Sequence, residues 1–96
     1  MSTNGTLNKV ILIGRVIDKP TPTDYGSSFK LITKEVWKDK DNNEKLHEDI
    51  HKIKINIKEL SELSFKHLQK DTLVYIEGQL FGSEVEIYHL QMLYNK

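Results

Sequence analysis

Four histidines, fourteen aspartates and glutamates and no cysteine set the chemistry this chain can attempt. The stretch DKDNNEKLHEDI, residues 39–50, places Asp39, Asp41 and Asn43 at alternate positions, as a calcium loop does. Glu44 stands at its sixth place, where glycine makes the sharp turn, and Ile50 at its twelfth, where a bidentate glutamate is required, so the match fails. His47 and His51 are four apart without sharing a helical face, and His67 and His89 are remote in sequence; no metal site is predicted. A phosphate-cradling glycine loop, a nucleophile elbow and an isolated acid–base pair are all missing. The expectation is a protein that is not an enzyme and needs no cofactor.

The residue types do support recognition of a polyanion. In EDIHKIKINIK, residues 48–58, His51, Ile53, Ile55 and Ile57 alternate with Ile50, Lys52, Lys54, Asn56 and Lys58. Successive strand side chains point to opposite faces, so one face is apolar and the other basic. A solvated outer sheet face explains polarity but not a single sign. Like charges at alternate positions repel unless an anion lies over them, and a phosphate backbone supplies one. Trp37, the sole tryptophan, ends another apolar run amid Lys34, Lys38 and Lys40. Such a residue can be core, but at a strand-to-loop edge among lysines it suits base stacking, worth about 1–3 kcal/mol per base. Core and loop-anchoring roles suit Phe29 and Tyr25 better than an extension of that platform.

Charge distribution agrees. Fourteen basic and fourteen acidic residues cancel, yet residues 1–58 hold eleven against eight and residues 59–96 three against six. The positive excess travels with the lysine strand. At 96 residues the chain is predicted to form one domain, residues 7–96, after a loose arm over residues 1–6, MSTNGT. A domain this small buries a modest share of its surface, so self-association would help. The apolar run NKVILIG is too short to span a membrane and lacks a signal-peptide pattern. A cytoplasmic or organellar protein, not secreted and without a membrane partner, is expected.

These residues need elements to hold them. LNKVILIGRVI, residues 7–17, is β-branched and apolar on both faces, hence a strand covered on two sides, with Gly14 at a bulge or bend. DKPTPTDYGSS reads as a loop and FKLITKEVWK as a second strand whose alternation is imperfect. The hydrophilic DKDNNEKLHED is expected to be a long exposed hairpin connection, followed by the lysine strand. In KELSELSFKHLQK the period changes: Leu60, Leu63, His67 and Leu68 fall at helical spacing. TLVYIEGQL and EVEIYHLQML complete two more strands around a tight FGS turn. The predicted class is all-β: a five-stranded OB-fold barrel with one α-helix between strands 3 and 4.

Along residues 7 to 93, LNKVILIGRV, LITKEVWKDK, His51-Lys52 after an acidic stretch, VYIEGQL and LQML resemble, in order, the bacterial and mitochondrial single-stranded-DNA-binding protein family. The resemblance implies a homo-oligomer, a tetramer first and a dimer second, that binds single-stranded DNA with little sequence preference during replication, recombination or repair. It implies that Trp37 stacks on bases, that Lys52 and Lys9 are basic contacts, and that His51, Tyr75 and Gln91 lie toward subunit interfaces. With Lys34, Lys38, Lys54 and Lys58 these form the expected site. The chain departs from the family where Ile50 replaces a second tryptophan, Asn56 or Ile57 a phenylalanine, and FGS a longer aromatic-bearing loop. With the sequence ending at Lys96, recruitment of replication and repair partners through the family's acidic tail is expected to be absent. Length and lost aromatics resemble a second family, primosomal replication protein N, a dimeric restart accessory. A third reading is an OB-type protein-interaction module without DNA binding.

Overall fold

A computed structural model of the chain describes residues 5–94; residues 1–4, most of the expected N-terminal arm, lie outside the described residues. The elements are β1 (Val10–Val16), β2 (Thr21–Pro22), β3 (Ser27–Lys38), β4 (Glu44–Ile55), α1 (Lys58–His67), β5 (Leu73–Phe81) and β6 (Glu84–Tyr94). They form one sheet in the order β1-β5-β6-β4-β3-β2, which β1 closes by pairing with β3. The five long strands make the barrel, and α1 lies between β4 and β5, as the OB expectation requires.

Closure happens at one short seam. β1 meets β3 only at Arg15↔Ile32 and Val16↔Leu31. A Cβ built on Gly14 would lie 2.5 Å from the Ile32 carbonyl oxygen, so glycine is what lets the two backbones approach there. The other tight point is the β5–β6 turn. Gly82 has φ 66° and is the first of two residues between the paired Phe81 and Glu84, the position at which a II′ hairpin turn demands a positive φ.

Inward positions of each strand build the core, with Leu31, Ile53, Ile55, Val74, Ile76 and Ile87 almost fully buried. Phe29 belongs to this core, whereas Tyr25 is 75% exposed on its loop. Helix α1 packs against β3, β4 and β6 through a different face from the one its leucine spacing predicts. Ser61 and Ser64 are buried while Leu63 is exposed. The Ser64 hydroxyl donates to the Ser61 carbonyl at 2.6 Å and shares a 2.9 Å hydrogen bond with the Ser27 hydroxyl. Small side chains let the helix sit close to the sheet, and each buried hydroxyl finds a partner, as burial demands. Of the four expected positions, Leu60 and Leu68 do pack on the core.

The expected long connection after Lys38 is instead a long ladder. β3 and β4 stay paired out to Lys38↔Glu44, leaving a turn over 39–43. Asp39 organises it, its carboxylate accepting from the backbone N–H of Asp41 at 2.9 Å and Asn43 at 3.0 Å, with Asn42 at φ 64°. The ribbon leaves the barrel with both faces in water, so no hydrophobic alternation marks it in the sequence. It accounts for a radius of gyration of 15.0 Å, against about 12.5 Å for a compact chain of this length.

Candidate nucleic-acid interface

Pairing between β3 and β4 gathers the lysines. On the outer face Ser28 stands opposite Lys54, Lys30 opposite Lys52, Ile32 opposite Ile50 and Lys34 opposite Glu48. Lys30 was not among the residues singled out from the sequence; the imperfect alternation of FKLITKEVWK hid its side, and only the register shows that it faces Lys52. Among the described residues no carboxylate lies within ion-pair distance of Lys30, Lys52 or Lys54. Like charges directly opposite on a ladder are destabilising unless something offsets them.

Lys30 and Lys52 line a groove of about 410 Å³ whose walls also include Lys19, Thr21, Ser28 and, as its acidic members, Asp18 and Glu84. Phe29 and Ile53 border it as well, but their side chains are turned into the core and almost fully buried. Ammonium groups beside hydroxyls can receive a phosphate. Glu84 and Glu86, on the neighbouring β6, limit the positive field to the β3–β4 side; Glu86 accepts a 3.1 Å hydrogen bond from the Asn56 side chain.

The remaining expected site residues fall in several places. Lys34 is ion-paired with Glu48 at 3.5 Å, and Lys38 lies opposite Glu44 near the tip. Trp37 is 53% exposed. Pleat alternation puts it with Lys45, its cross-strand partner, on the opposite side of the arm from Lys34 and Lys38. Lys58 is not on the lysine face: the strand ends at Ile55 and Lys58 opens α1. Ile57 likewise leaves the apolar face to become the half-exposed N-cap of that helix.

Lys9 belongs to another surface. It is ion-paired with Glu77 at 3.2 Å on the outer side of β1 and β5. Its hydrogen bond holds the Glu77 carboxyl below the usual carboxylate range, and Glu77 in turn raises the Lys9 ammonium. Desolvation raises the nearby Tyr75 phenol. Tyr75 stands opposite Gln91 and packs edge-on against His89 at 6.0 Å. The structure thus brings Tyr75 and Gln91 together and leaves His51 apart, on β4, where it shares a 2.9 Å hydrogen bond with Thr33. Ile11 and Ile13, 52% and 54% exposed, share the outer face with Tyr75 and Glu77.

Among the described residues no helix is long and apolar enough to cross a membrane. No group of three or more metal-ligating side chains occurs among them.

The sequence model of the Single-strand binding protein family matches residues 7–87. The single-stranded DNA-binding proteins of Rickettsia typhi and Rickettsia prowazekii are each 37% identical over 82 residues, covering 79% of this chain and 54% of theirs. The chain therefore spans about half the length of the curated relatives it matches. Among solved structures, the Plasmodium falciparum SSB complex with ssDNA superposes with a TM-score of 0.80 at 28% identity, over 98% of this chain and all of that one. The single-stranded DNA binding protein from Thermus aquaticus shares the fold, with a TM-score of 0.75 at 20% identity over 94% of this chain and 52% of its own.

Proposed function

Since the chain belongs to the single-strand binding protein family, we propose that it holds single-stranded DNA, without strong sequence preference, across the outer face of β3 and β4. The observation that carries this reading is the uncompensated pair Lys30 and Lys52, with Lys54 one rung away. Lysine contacts to phosphate fix the position of a strand and carry no sequence information, which suits a binder indifferent to sequence. Lys34 and Lys38 extend the phosphate path along the arm. The exposed Lys34–Glu48 pair is weak and yields to a phosphate at small cost. Trp37 offers an indole to a base on the arm's other side. Lys58 and Lys9 add to the field at longer range rather than by contact. The protein performs no chemistry and keeps strands unpaired and protected during replication, recombination or repair, in the cytoplasm or an organelle.

Assembly into a homo-oligomer follows from β1. Among the described residues, Val10 to Gly14 of this strand pair with β5 alone, so the second edge is open to a further strand. Ile11 and Ile13 lie exposed beside that edge. A second copy across a twofold axis covers both, with Tyr75 and Gln91 at the border; the tetramer is the first reading and the dimer the second.

One observation favours the protein-interaction reading for part of the molecule. Residues 34–50 carry four lysines against six carboxylates, and Val36 and Leu46 pair on an exposed face there. Anisotropy of a labelled oligo-dT decides between them. Binding at micromolar protein or below, weakened at least fivefold by Trp37→Ala, supports the DNA reading, and no binding at low salt moves the function to protein partners.

A further inference from the structure

We propose that the outer face of the β3–β4 arm is an interface between copies of this chain, two arms packing face to face with β3 of one over β4 of the other. The inference goes beyond the DNA-binding reading and does not rest on it.

Outward from the Lys30–Lys52 rung, this face alternates in character. Ile32 stands opposite Ile50 and Val36 opposite Leu46, while Lys34 stands opposite Glu48 and Lys38 opposite Glu44. Val36, Leu46 and Ile50 are 65%, 60% and 62% exposed. A two-stranded ribbon with neither face covered is marginal in water. Apolar rungs repeated along such a ribbon, rimmed by charge, mark a surface that something covers.

Charge identifies the occupant. On this face β3 carries the cations Lys34 and Lys38, and β4 carries the anions Glu44 and Glu48. Two twofold axes lay the ribbon flat on its own image. An axis across the strands sets β3 over β3, with lysine on lysine or on an apolar side chain. An axis along the strands sets β3 over β4, rung on rung. Lys34 then meets the partner's Glu48, Lys38 meets the partner's Glu44, and Val36 meets the partner's Leu46. The face is therefore complementary to itself, as an isologous contact requires. Sheets packed this way lie about 10 Å apart, within reach of both sets of side chains. The Lys34–Glu48 pair, 3.5 Å apart and exposed, is weak within one chain; a second copy makes it part of a four-charge network.

The next rung inward would set Lys30 and Lys52 on their own images, so the contact ends at Ile32 and Ile50. A DNA strand led along Lys34 and Lys38 needs the same face, and the two occupants exclude each other there. The contact is small, in the class below about 1,200 Å², so the association is weak and shows at high concentration.

Sedimentation velocity of the intact chain without DNA, from about 10 μM to about 1 mM, tests the proposal. Wild type is expected to add mass to its resting oligomer as concentration rises. Lys34→Glu sets carboxylate on carboxylate across the contact and Glu48→Lys sets lysine on lysine, so each alone should associate about tenfold more weakly. An equimolar mixture of the two variants should regain the wild-type behaviour, because opposite charges then meet between unlike copies; a defect within one chain is not repaired by mixing. Leu46→Ser should lose the gain in mass with its circular dichroism spectrum unchanged. A wild type of constant mass, a mixture no heavier than its components, or Leu46→Ser associating like wild type overturns the proposal. None of these outcomes bears on oligo-dT binding, which anisotropy measures separately.

Discussion

Lys30 and Lys52 stand directly opposite each other on the outer face of the β3–β4 ladder, and among the described residues neither amine meets a carboxylate within ion-pair distance. Two like charges so placed cost stability, on the order of 0.2–1 kcal/mol. A polyanion lying across the pair would offset that cost.

Stability and affinity should therefore move in opposite directions at this pair. Lys30→Glu turns the repulsion into a cross-strand attraction and is expected to raise stability by a few tenths of a kcal/mol to about 1 kcal/mol in urea melts. The same variant should bind oligo-dT at least tenfold more weakly. A variant that is both less stable and equally good at binding would mean the lysines serve the fold.

Barrel closure depends on Gly14. A methyl group there meets backbone, which cannot swing aside as a side-chain tip does. Gly14→Ala is expected to cost about 1–3 kcal/mol, read from the urea midpoint, in the range of other overpacked sites.

Self-association is expected to run through β1. Ile13→Asp puts a charge on the exposed outer face beside Tyr75. Light scattering after gel filtration should show a shift to a smaller species, with the circular dichroism spectrum preserved. An unchanged mass would place the interface elsewhere.

The Lys9–Glu77 pair sets a pH window. The Glu77 carboxyl is held below its ordinary value of 4.5, so its contribution is present above that pH and is lost as pH falls through the lowered value. The Lys9 ammonium is raised above 10.5, so its contribution is present below that pH and is lost as pH rises through the raised value. Between these limits the difference in melting temperature between wild type and Glu77→Gln should be constant. It should narrow on acidification below about pH 4.5. A constant difference down to pH 2 would remove the pair from the account.

What the sequence discloses and what it withholds divide along burial. Strands with one face in the core, such as the segment of Ile53 and Ile55, announce themselves by alternation, and the helix by its change of period; their order suffices for the barrel. The outer half of the β3–β4 arm has no buried face, so Leu46, His47 and their neighbours on β4 read as a loop although they are paired with β3. The helix buries Ser61 and Ser64 because close approach to the sheet rewards small side chains, a preference that leucine spacing conceals. Lys30 joins the candidate site only through pairing register, a long-range property that composition does not carry. Trp37, the conspicuous residue in the sequence, lies farther out along the arm.

The salt dependence of oligo-dT binding tests the central claim most directly. For a strand held by lysine–phosphate contacts, the logarithm of the association constant falls linearly with the logarithm of salt, by about 0.7 per phosphate neutralised. With Lys30, Lys52 and Lys54 engaged, the wild-type slope should be at least about −2. The double variant Lys30→Ala, Lys52→Ala should lose roughly 1.4 units of it. A double variant with the wild-type slope and affinity would contradict the account.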